Sequence, residues 1–573
     1  MVARLIPSFI RTSGALYLIC LLIGVLTGLG SLIFATLLEK GEGILLHSLV
    51  QFQHERPFDF STLLDIRILG LLLAGALVNG IIIRFFAGEV RGSGIDFIID
   101  RFHNHEGRMR GRVATYKSIA TIASLSTGAS AGKEGPAAQI GAGIGSLVAN
   151  RIQIGPRARR TMLLAGAAGG LGAVFHAPLA GALTAVEMLY REDVESDSLV
   201  PCIISSVSAY LVYTMIRGTG PIYPSTDLSF RALDLPFFAI LGLLCFVCGF
   251  VFVRTYEFIS HSFTRSRIPL LLQPILGAIL VFAVAAGFPQ VLGSGAETLR
   301  GLLAQPSFPA TFTLCAWFLM LGFAKMIASS LTVGSGNSGG LFGPSLLMGA
   351  YLGLAVGTAA HLFLPGQTAS LHSYALVGMG AFYSGIASAP IAGMLMVCEM
   401  TGSYRLLPGL ILVTTLALVL SQKWSIYKSQ LHNRFQSPAH DWDIKMDFLE
   451  RARLGESKIE IRRHAMVKVD ATLATLRKLA ARVHASDFVV FDKEHYSGMI
   501  SLKQYQGRQN SRIRPDLTVP AVSPRDTLAR ALRIMSDREL DKVAVVDEGR
   551  ILGYVRQRDV VGFYFSSVRG GTS

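Results

Sequence analysis

Charge is what this chain has least of. Asp, Glu, Lys and Arg make up 16% of its 573 residues, against 51% hydrophobic residues, where an ordinary soluble domain carries about a quarter charged. That balance excludes a soluble enzyme and calls for a multi-pass α-helical membrane protein. Cysteine is also scarce. The six thiols, Cys20, Cys202, Cys245, Cys248, Cys315 and Cys398, all lie in or beside apolar segments, which excludes a disulfide scaffold. The C-x-x-C of Cys245 and Cys248 lacks a second ligand pair, so these residues read as small buried hydrophobes. The apolar part offers no nucleophile-base-acid set. Its one near match to a phosphate loop, GASAGKE at 128–134, is a residue short before Gly-Lys, has no Ser or Thr after it and follows no strand. His103 and His105 stand in a polar connection at 102–112, where an H-x-H is read as solvated, and no metal is assigned.

Apolar runs of bilayer-spanning length occur at 15–38, 68–83, 236–253, 270–288 and 406–421, among others. The first follows Arg4 and Arg11, is too long for a signal core and precedes no small-residue cleavage site, so it is read as a retained helix. The net charge of +15 does not form an aromatic-interleaved patch, and no nucleic acid is expected. The basic residues collect at membrane edges instead. One group is Arg151, Arg157, Arg159 and Arg160; another runs from Lys423, Lys428 and Arg434 to Arg451, Arg453, Arg462 and Arg463. The second group places the C-terminal part in the cytoplasm.

Composition changes once, near 438–443, dividing a membrane domain at 1–440 from a linker at 441–458 and a polar part at 459–573. The polar part alternates strand-like runs at 487–492, 542–547 and 551–555 with an amphipathic helix at 528–535, a soluble α/β pattern. A further polar connection is expected at 52–60.

The membrane part repeats itself. GAAGGLGAVFHAPLAGALTAVEM at 166–188 matches GMGAFYSGIASAPIAGMLMVCEM at 378–400 without a gap, so Glu187 corresponds to Glu399. GSGID at 92–96 pairs with GSGAE at 293–297, and GKEGP at 132–136 with GLFGP at 340–344, in the same order. Two related halves with paired Gly- and Pro-interrupted segments point to a site built from broken helices where the halves meet. A helix that starts inside a membrane presents unpaired N–H groups and partial positive charge, and glycines let a ligand reach the main chain. Such breaks suit a small anion held weakly enough to leave again. The breaks at 92–94, 132–135 and 336–343 qualify. One of them places Glu134 at the start of a helix over 134–145, with Pro136 in its first turn, and an ionisable side chain there is functional by default.

GSGID, GKEGP, GNSGGLFGP at 336–344 and Tyr427 after the last apolar run resemble the signature set of the CLC family of chloride channels and chloride/proton antiporters. The resemblance extends from Ala15 to about Leu431. It implies two repeated, inverted halves, a homodimer in the lipid bilayer with one chloride path in each subunit, and the inner (plasma) membrane of a bacterium. It also implies that Ser93, Tyr427 and the backbone N–H groups of Leu341 and Phe342 coordinate chloride, with Gly92, Gly94, Ile95, Lys133, Gly135, Pro136, Gly340 and Gly343 lining the path. Glu134 would be the gate, since a carboxylate at a helix start occupies an anion's place until protonation releases it.

Two positions depart from the family pattern. Proton-coupled members resembling the bacterial antiporters carry a glutamate as inner proton transfer point where this chain has Met188, so a passive, voltage- or pH-gated chloride channel is expected. A chloride/proton antiporter with an atypical inner route is the alternative, and a nucleotide sensor without transport a remoter one. Asp96 stands where the family usually has Pro, and it is read as a solvated or paired carboxylate on the vestibule wall. The tail resembles a CBS-domain pair, at about 459–507 and 515–568. Its nucleotide motif is half kept in each repeat, with Ser501 in one and Asp559 in the other, so ATP or AMP is a candidate ligand beside a purely structural role. No cofactor is required.

Overall fold

The computed structural model describes residues 13–50, 65–223, 228–305, 309–440, 449–450, 452–457, 459–502 and 512–569. The connection at 52–60, most of the 441–458 linker, Arg4, Arg11 and Arg451 lie outside them. The chain forms two compact units, 1–439 and 440–573.

The described residues of the first unit form helices joined by turns and isolated bridges. In order it contains α1 (Ser13–Glu42), α2 (Ile66–Ile81), α3 (Ile95–Asn104), α4 (Arg112–Leu125), α5 (Glu134–Arg151), α6 (Pro156–Phe175), α7 (Pro178–Glu187) and α8 (Leu199–Arg217). Then follow α9 (Leu235–Arg265), α10 (Gln273–Gly287), α11 (Ala296–Ala304), α12 (Phe312–Gly334), α13 (Phe342–Phe363), α14 (Leu371–Ala387), α15 (Pro390–Thr401) and α16 (Leu407–Ser421). The second series repeats the first: α3 and α11 follow the GSG turns, α5 and α13 start at the GKEGP and GLFGP breaks, and α7 and α15 start at A-P-(L/I)-A-G. Among the described residues six helical stretches are long and apolar enough to span a bilayer, at 14–49, 66–86, 196–217, 232–265, 312–334 and 342–363. The apolar runs at 270–288 and 406–421 form the shorter α10 and α16. Small residues decide how the inner helices cross. A Cβ on Gly141 of α5 would collide with the Gly166 carbonyl of α6, and in the second half one on Gly349 of α13 would collide with the Gly378 carbonyl of α14.

His103 corrects the expectation of a solvated H-x-H. It is buried at the end of α3, with Nδ1 2.8 Å from the Ser437 hydroxyl and Nε2 3.2 Å from the Leu189 carbonyl. The helical turn points it inwards while His105, two residues on, faces Asp100 at 3.3 Å.

The second unit holds a five-stranded sheet of β1 (Met466–Lys468), β2 (Asp487–Asp492), β3 (His495–Ser501), β4 (Lys542–Asp547) and β5 (Arg550–Arg556), ordered β1-β2-β3-β5-β4. β1 pairs parallel to β2, and β2–β3 and β4–β5 are antiparallel hairpins. Each hairpin follows a helix, α17 (Leu473–Val483) or α18 (Leu528–Asp537), capped by the side chain of Thr472 or Thr527. A last helix, α19 (Gln557–Arg569), follows β5. The two α-β-β units share one burial pattern. In β3 and β5 the last turn of the ladder is buried while the hairpin end stays exposed.

Candidate functional site

The three breaks singled out in the sequence meet. Gly132 N–H donates to the Gly340 carbonyl at 2.7 Å, and Gly340 N–H returns the bond to Gly132 at 2.6 Å. The starts of α5 and α13 are thereby joined as a small antiparallel bridge. The GSG turn packs onto the same junction: a Cβ on Gly135 would stand 2.5 Å from the Ser93 carbonyl and 3.2 Å from the Gly340 Cα. Ser93 is buried between Gly92 (φ 76°) and Gly94 (φ 89°), a left-handed turn open to glycine, and Ile95 begins α3. Leu341 caps α13 and Phe342 is its first residue, both buried.

Glu134 is the first residue of α5 and is buried. Its carboxylate lies against Gly132 and Gly343, close enough that a Cβ on Gly343 would fall 2.8 Å from Oε2. The main-chain N–H groups of Lys133, Glu134 and Gly343 act on it, so two helix starts supply its positive surroundings. Oε2 has no hydrogen-bond partner of normal geometry, which is costly for a buried carboxylate oxygen. Beside it opens a cavity of about 510 Å³ lined by Lys133, Arg217, Arg300 and His176 as well as Glu39, which pairs with Arg217. The mouth is basic on balance, as an anion's approach requires.

Tyr427 lies in a strap after α16. Ile426 N–H donates to the Ile386 carbonyl at 2.9 Å, Leu431 N–H to Leu189 at 3.2 Å, and the Gln430 amide to the Tyr190 and Ala387 carbonyls at 3.0 Å each. Tyr383 of α14 reaches between the breaks and the strap. Its ring packs on Phe342 with centroids 4.0 Å apart, and Phe342 packs on Phe175 at 4.5 Å. The Tyr383 hydroxyl is buried without a well-formed hydrogen bond, and the Tyr427 and Thr184 hydroxyls and the Glu187 carboxylate are the polar groups that act on it. Met188, fully buried at the end of α7, brings no ionisable group.

The matched glutamates are reciprocal caps. Glu187 accepts from Ala392 N–H at 2.9 Å at the start of α15, while Glu399 accepts from Ala180 N–H at 2.8 Å and Leu179 N–H at 3.2 Å at the start of α7. Each half thus satisfies the orphan donors of the other, as two copies about a pseudo-two-fold axis would.

Sequence reasoning missed two lysines. Lys117 Nζ donates to the Val90 and Gly92 carbonyls at 2.9 and 2.7 Å, and Lys325 Nζ to Val291 and Gly293 at 2.8 Å each, both side chains fully buried. They hold the two GSG turns from behind. Lys325 is the one charged residue of α12 and Lys117 shares α4 only with Arg112 at its start; the two lysines stand at one spacing from Gly340 and Gly132, and that shared spacing was the available signal.

In the second unit the two nucleotide candidates are already engaged. Asp559 holds Arg556 in a bidentate pair at 2.8 Å twice, with Arg462 at 3.3 Å, and the Ser501 hydroxyl acts on the Asp487 carboxylate. A ribose would have to displace Arg556 to reach Asp559. Among the described residues no cluster of three or more His, Cys, Asp and Glu suits a metal ion.

Comparisons with known proteins bear on the family and the fold. The family model for voltage gated chloride channels matches residues 70–422, and that for the CBS domain matches 513–566. The H(+)/Cl(-) exchange transporter ClcA of Vibrio campbellii is 31% identical over 402 residues, covering 66% of this chain and 82% of that protein. The voltage-gated ClC-type chloride channel ClcB of Escherichia coli is 32% identical over 329 residues, covering 56% and 77%. In fold, the chain resembles the crystal structure of a slow cyanobacterial Cl-/H+ antiporter, with TM-score 0.60 and 24% identity over 72% of this chain and 96% of that one. It also resembles a CLC-type fluoride/proton antiporter, with TM-score 0.61 and 21% identity over 73% and 98%. Matched by the family model over most of its length, and by relatives across most of theirs, this chain belongs to the voltage gated chloride channel (CLC) family.

Proposed function

We propose that this chain carries chloride across a membrane along a path through each subunit of a homodimer, with Glu134 as gate and Ser93, Tyr427 and the N–H groups of Leu341 and Phe342 as ligands. The observation that carries the reading is the Glu134 carboxylate at the junction of two helix starts, one oxygen unpaired, beside a basic cavity. There it competes with an anion for the same N–H groups, and protonation removes the competitor. The first reading is passive conduction, because Met188 supplies no inner proton carrier. Chloride efflux from liposomes containing Glu134→Ala tests the gate: flux stays high and loses its dependence on pH, and persistent acid activation would place the gate elsewhere.

Proton-coupled exchange is the second reading, favoured by one observation. The Tyr383 hydroxyl is buried without a well-formed hydrogen bond, and the Tyr427 and Thr184 hydroxyls and the Glu187 carboxylate act on it, so polar groups other than residue 188 are candidates to carry a proton. The Vibrio relative is an H(+)/Cl(-) exchange transporter and the cyanobacterial protein a Cl-/H+ antiporter. The reversal potential under a pH gradient separates the two readings.

For the tail, the domain division is 1–440, 441–458 and 459–573, with the CBS pair in the cytoplasm as the basic residues after α16 suggest. Because Arg556 occupies Asp559, a structural tail is favoured over an ATP or AMP sensor. Calorimetry with both nucleotides tests this, and heat at micromolar ligand would overturn it.

A further inference from the structure

Asp96 stands where the family pattern has proline, and its carboxylate has a partner. Oδ1 accepts a 2.8 Å hydrogen bond from the Ser429 backbone N–H, which is 333 residues away in the chain. The two segments it joins carry the two hydroxyls of the proposed chloride site. Ser93 lies three residues before Asp96 and Tyr427 two before Ser429. The strap's other anchors, main-chain N–H groups and the Gln430 amide, run to Ile386, Ala387, Leu189 and Tyr190, of which Leu189 and Tyr190 in turn meet His103 at the far end of α3 and not its first turn. Among the hydrogen bonds of the described residues 425–431, that of Asp96 is the one that reaches α3. A proline at this position offers no acceptor side chain, so the tie belongs to this sequence and not to the family pattern.

We propose that Asp96 is a positioning residue: by tying the Tyr427 strap to the first turn of α3 it sets the separation of the Ser93 and Tyr427 hydroxyls, and with it the preference for chloride over nitrate. The proposal rests on the reading of those two hydroxyls as chloride ligands. A loss of about 0.5 Å in placement is enough to take a ligand out of productive geometry. A spherical and a planar anion answer differently to such a change. The competing account is electrostatic: a carboxylate near the path would repel every anion alike, with Lys428 offsetting part of its charge.

The test compares chloride and nitrate efflux from liposomes containing the full chain. Asp96→Asn keeps the acceptor oxygen and loses the charge; Asp96→Glu keeps the charge and displaces the acceptor; Asp96→Ala loses both. The chloride/nitrate ratio is expected to stay within about twofold of the parent for Asp96→Asn and to fall roughly fivefold for Asp96→Glu and Asp96→Ala, the scale of one hydrogen bond. If Asp96→Ala does not fold, Asp96→Glu still decides. A parental ratio in Asp96→Glu with a changed one in Asp96→Asn would assign the effect to charge and overturn the proposal, as would parental ratios throughout. Ser93→Pro is measured alongside. If it leaves the ratio unchanged, the reading of Ser93 as a ligand fails; if it shifts the ratio while the Asp96 variants do not, the tie alone is refuted.

Discussion

Gly132 and Gly340, the first glycines of two related motifs, exchange both of their main-chain hydrogen bonds, at 2.7 and 2.6 Å. Everything else at the site depends on that junction, because it fixes two helix starts against each other. The GSG turn then rests on Gly135, where no side chain intervenes. Gly135→Ala would drive a Cβ to 2.5 Å from the Ser93 carbonyl. Overpacking of this kind costs about 1–3 kcal/mol. The thermal unfolding midpoint in detergent is expected to fall, and chloride flux to fall with it; an unchanged midpoint would show that the turn can give way.

Glu134→Gln keeps the shape of the protonated side chain and removes its titration. If the gate opens on protonation as proposed, flux through the parent rises as pH falls, by at most about tenfold per pH unit for a single proton. In the variant that slope is absent and flux at neutral pH matches the parent's acid limit. Efflux measured from pH 4.5 to 7.5 checks both statements, and a parental slope in the variant would move the sensor to another group.

Lys325 is buried with its ammonium on the Val291 and Gly293 carbonyls, as Lys117 is on Val90 and Gly92. Lys325→Met leaves both acceptors buried and unpaired, at roughly 1–3 kcal/mol each. A lowered unfolding midpoint is expected, together with altered flux, because the Gly293–Gly295 turn lines the cavity beside Glu134. A midpoint equal to the parent's would mean that water replaces the ammonium.

The sequence made these breaks legible because each is a departure from an apolar background: three glycine clusters, one carboxylate and a gapless repeat. The repeat predicted the pairing of Glu187 with Glu399, and the structure turns that pairing into reciprocal caps on α15 and α7. The strands at Asp487–Asp492 and Lys542–Asp547 were equally clear from alternation and short apolar runs. Long-range contacts were not. His103 looked like a loop residue because its partners, Ser437 and Leu189, are 334 and 86 residues away. Asp96 was read as solvated or paired, and its partner could not be named for the same reason, since a hydrogen bond to a distant backbone N–H leaves no trace in local pattern. Tyr383 was hidden inside an apolar helix, where an aromatic reads as core.

In the second unit, Asp541 and Asp487 face each other, with Asp541 N–H donating to Asp487 at 3.0 Å. Partial burial and the neighbouring carboxyl push Asp541 up to about 6. A carboxyl raised on folding favours the protonated folded state, so its contribution is present at acid pH and lost as pH rises through about 6. Asp541→Asn removes that loss. Hydrogen exchange of the β4 amides in the full chain is expected to slow in the variant at pH 7.5 and to match the parent at pH 5. Equal rates at pH 7.5 would show that Lys542, 3.4 Å from Asp541, already compensates.

Tyr383→Phe decides whether the polar groups around the Tyr383 hydroxyl carry protons. The ring packing on Phe342 survives the change, so the packing around the proposed anion path is kept. Only the hydroxyl that stands among Glu187, Thr184 and Tyr427 is lost. If the chain is a passive channel, the parent's reversal potential already ignores a pH gradient and the variant differs in nothing but flux. If the chain exchanges protons, the parent's reversal potential shifts with the gradient. In that case Tyr383→Phe abolishes the shift while chloride flux persists. Met188→Glu then supplies the control, since an acid restored beside Glu187 gives the proton an inner starting point. A pH-dependent potential that survives Tyr383→Phe would reject the hydroxyl route.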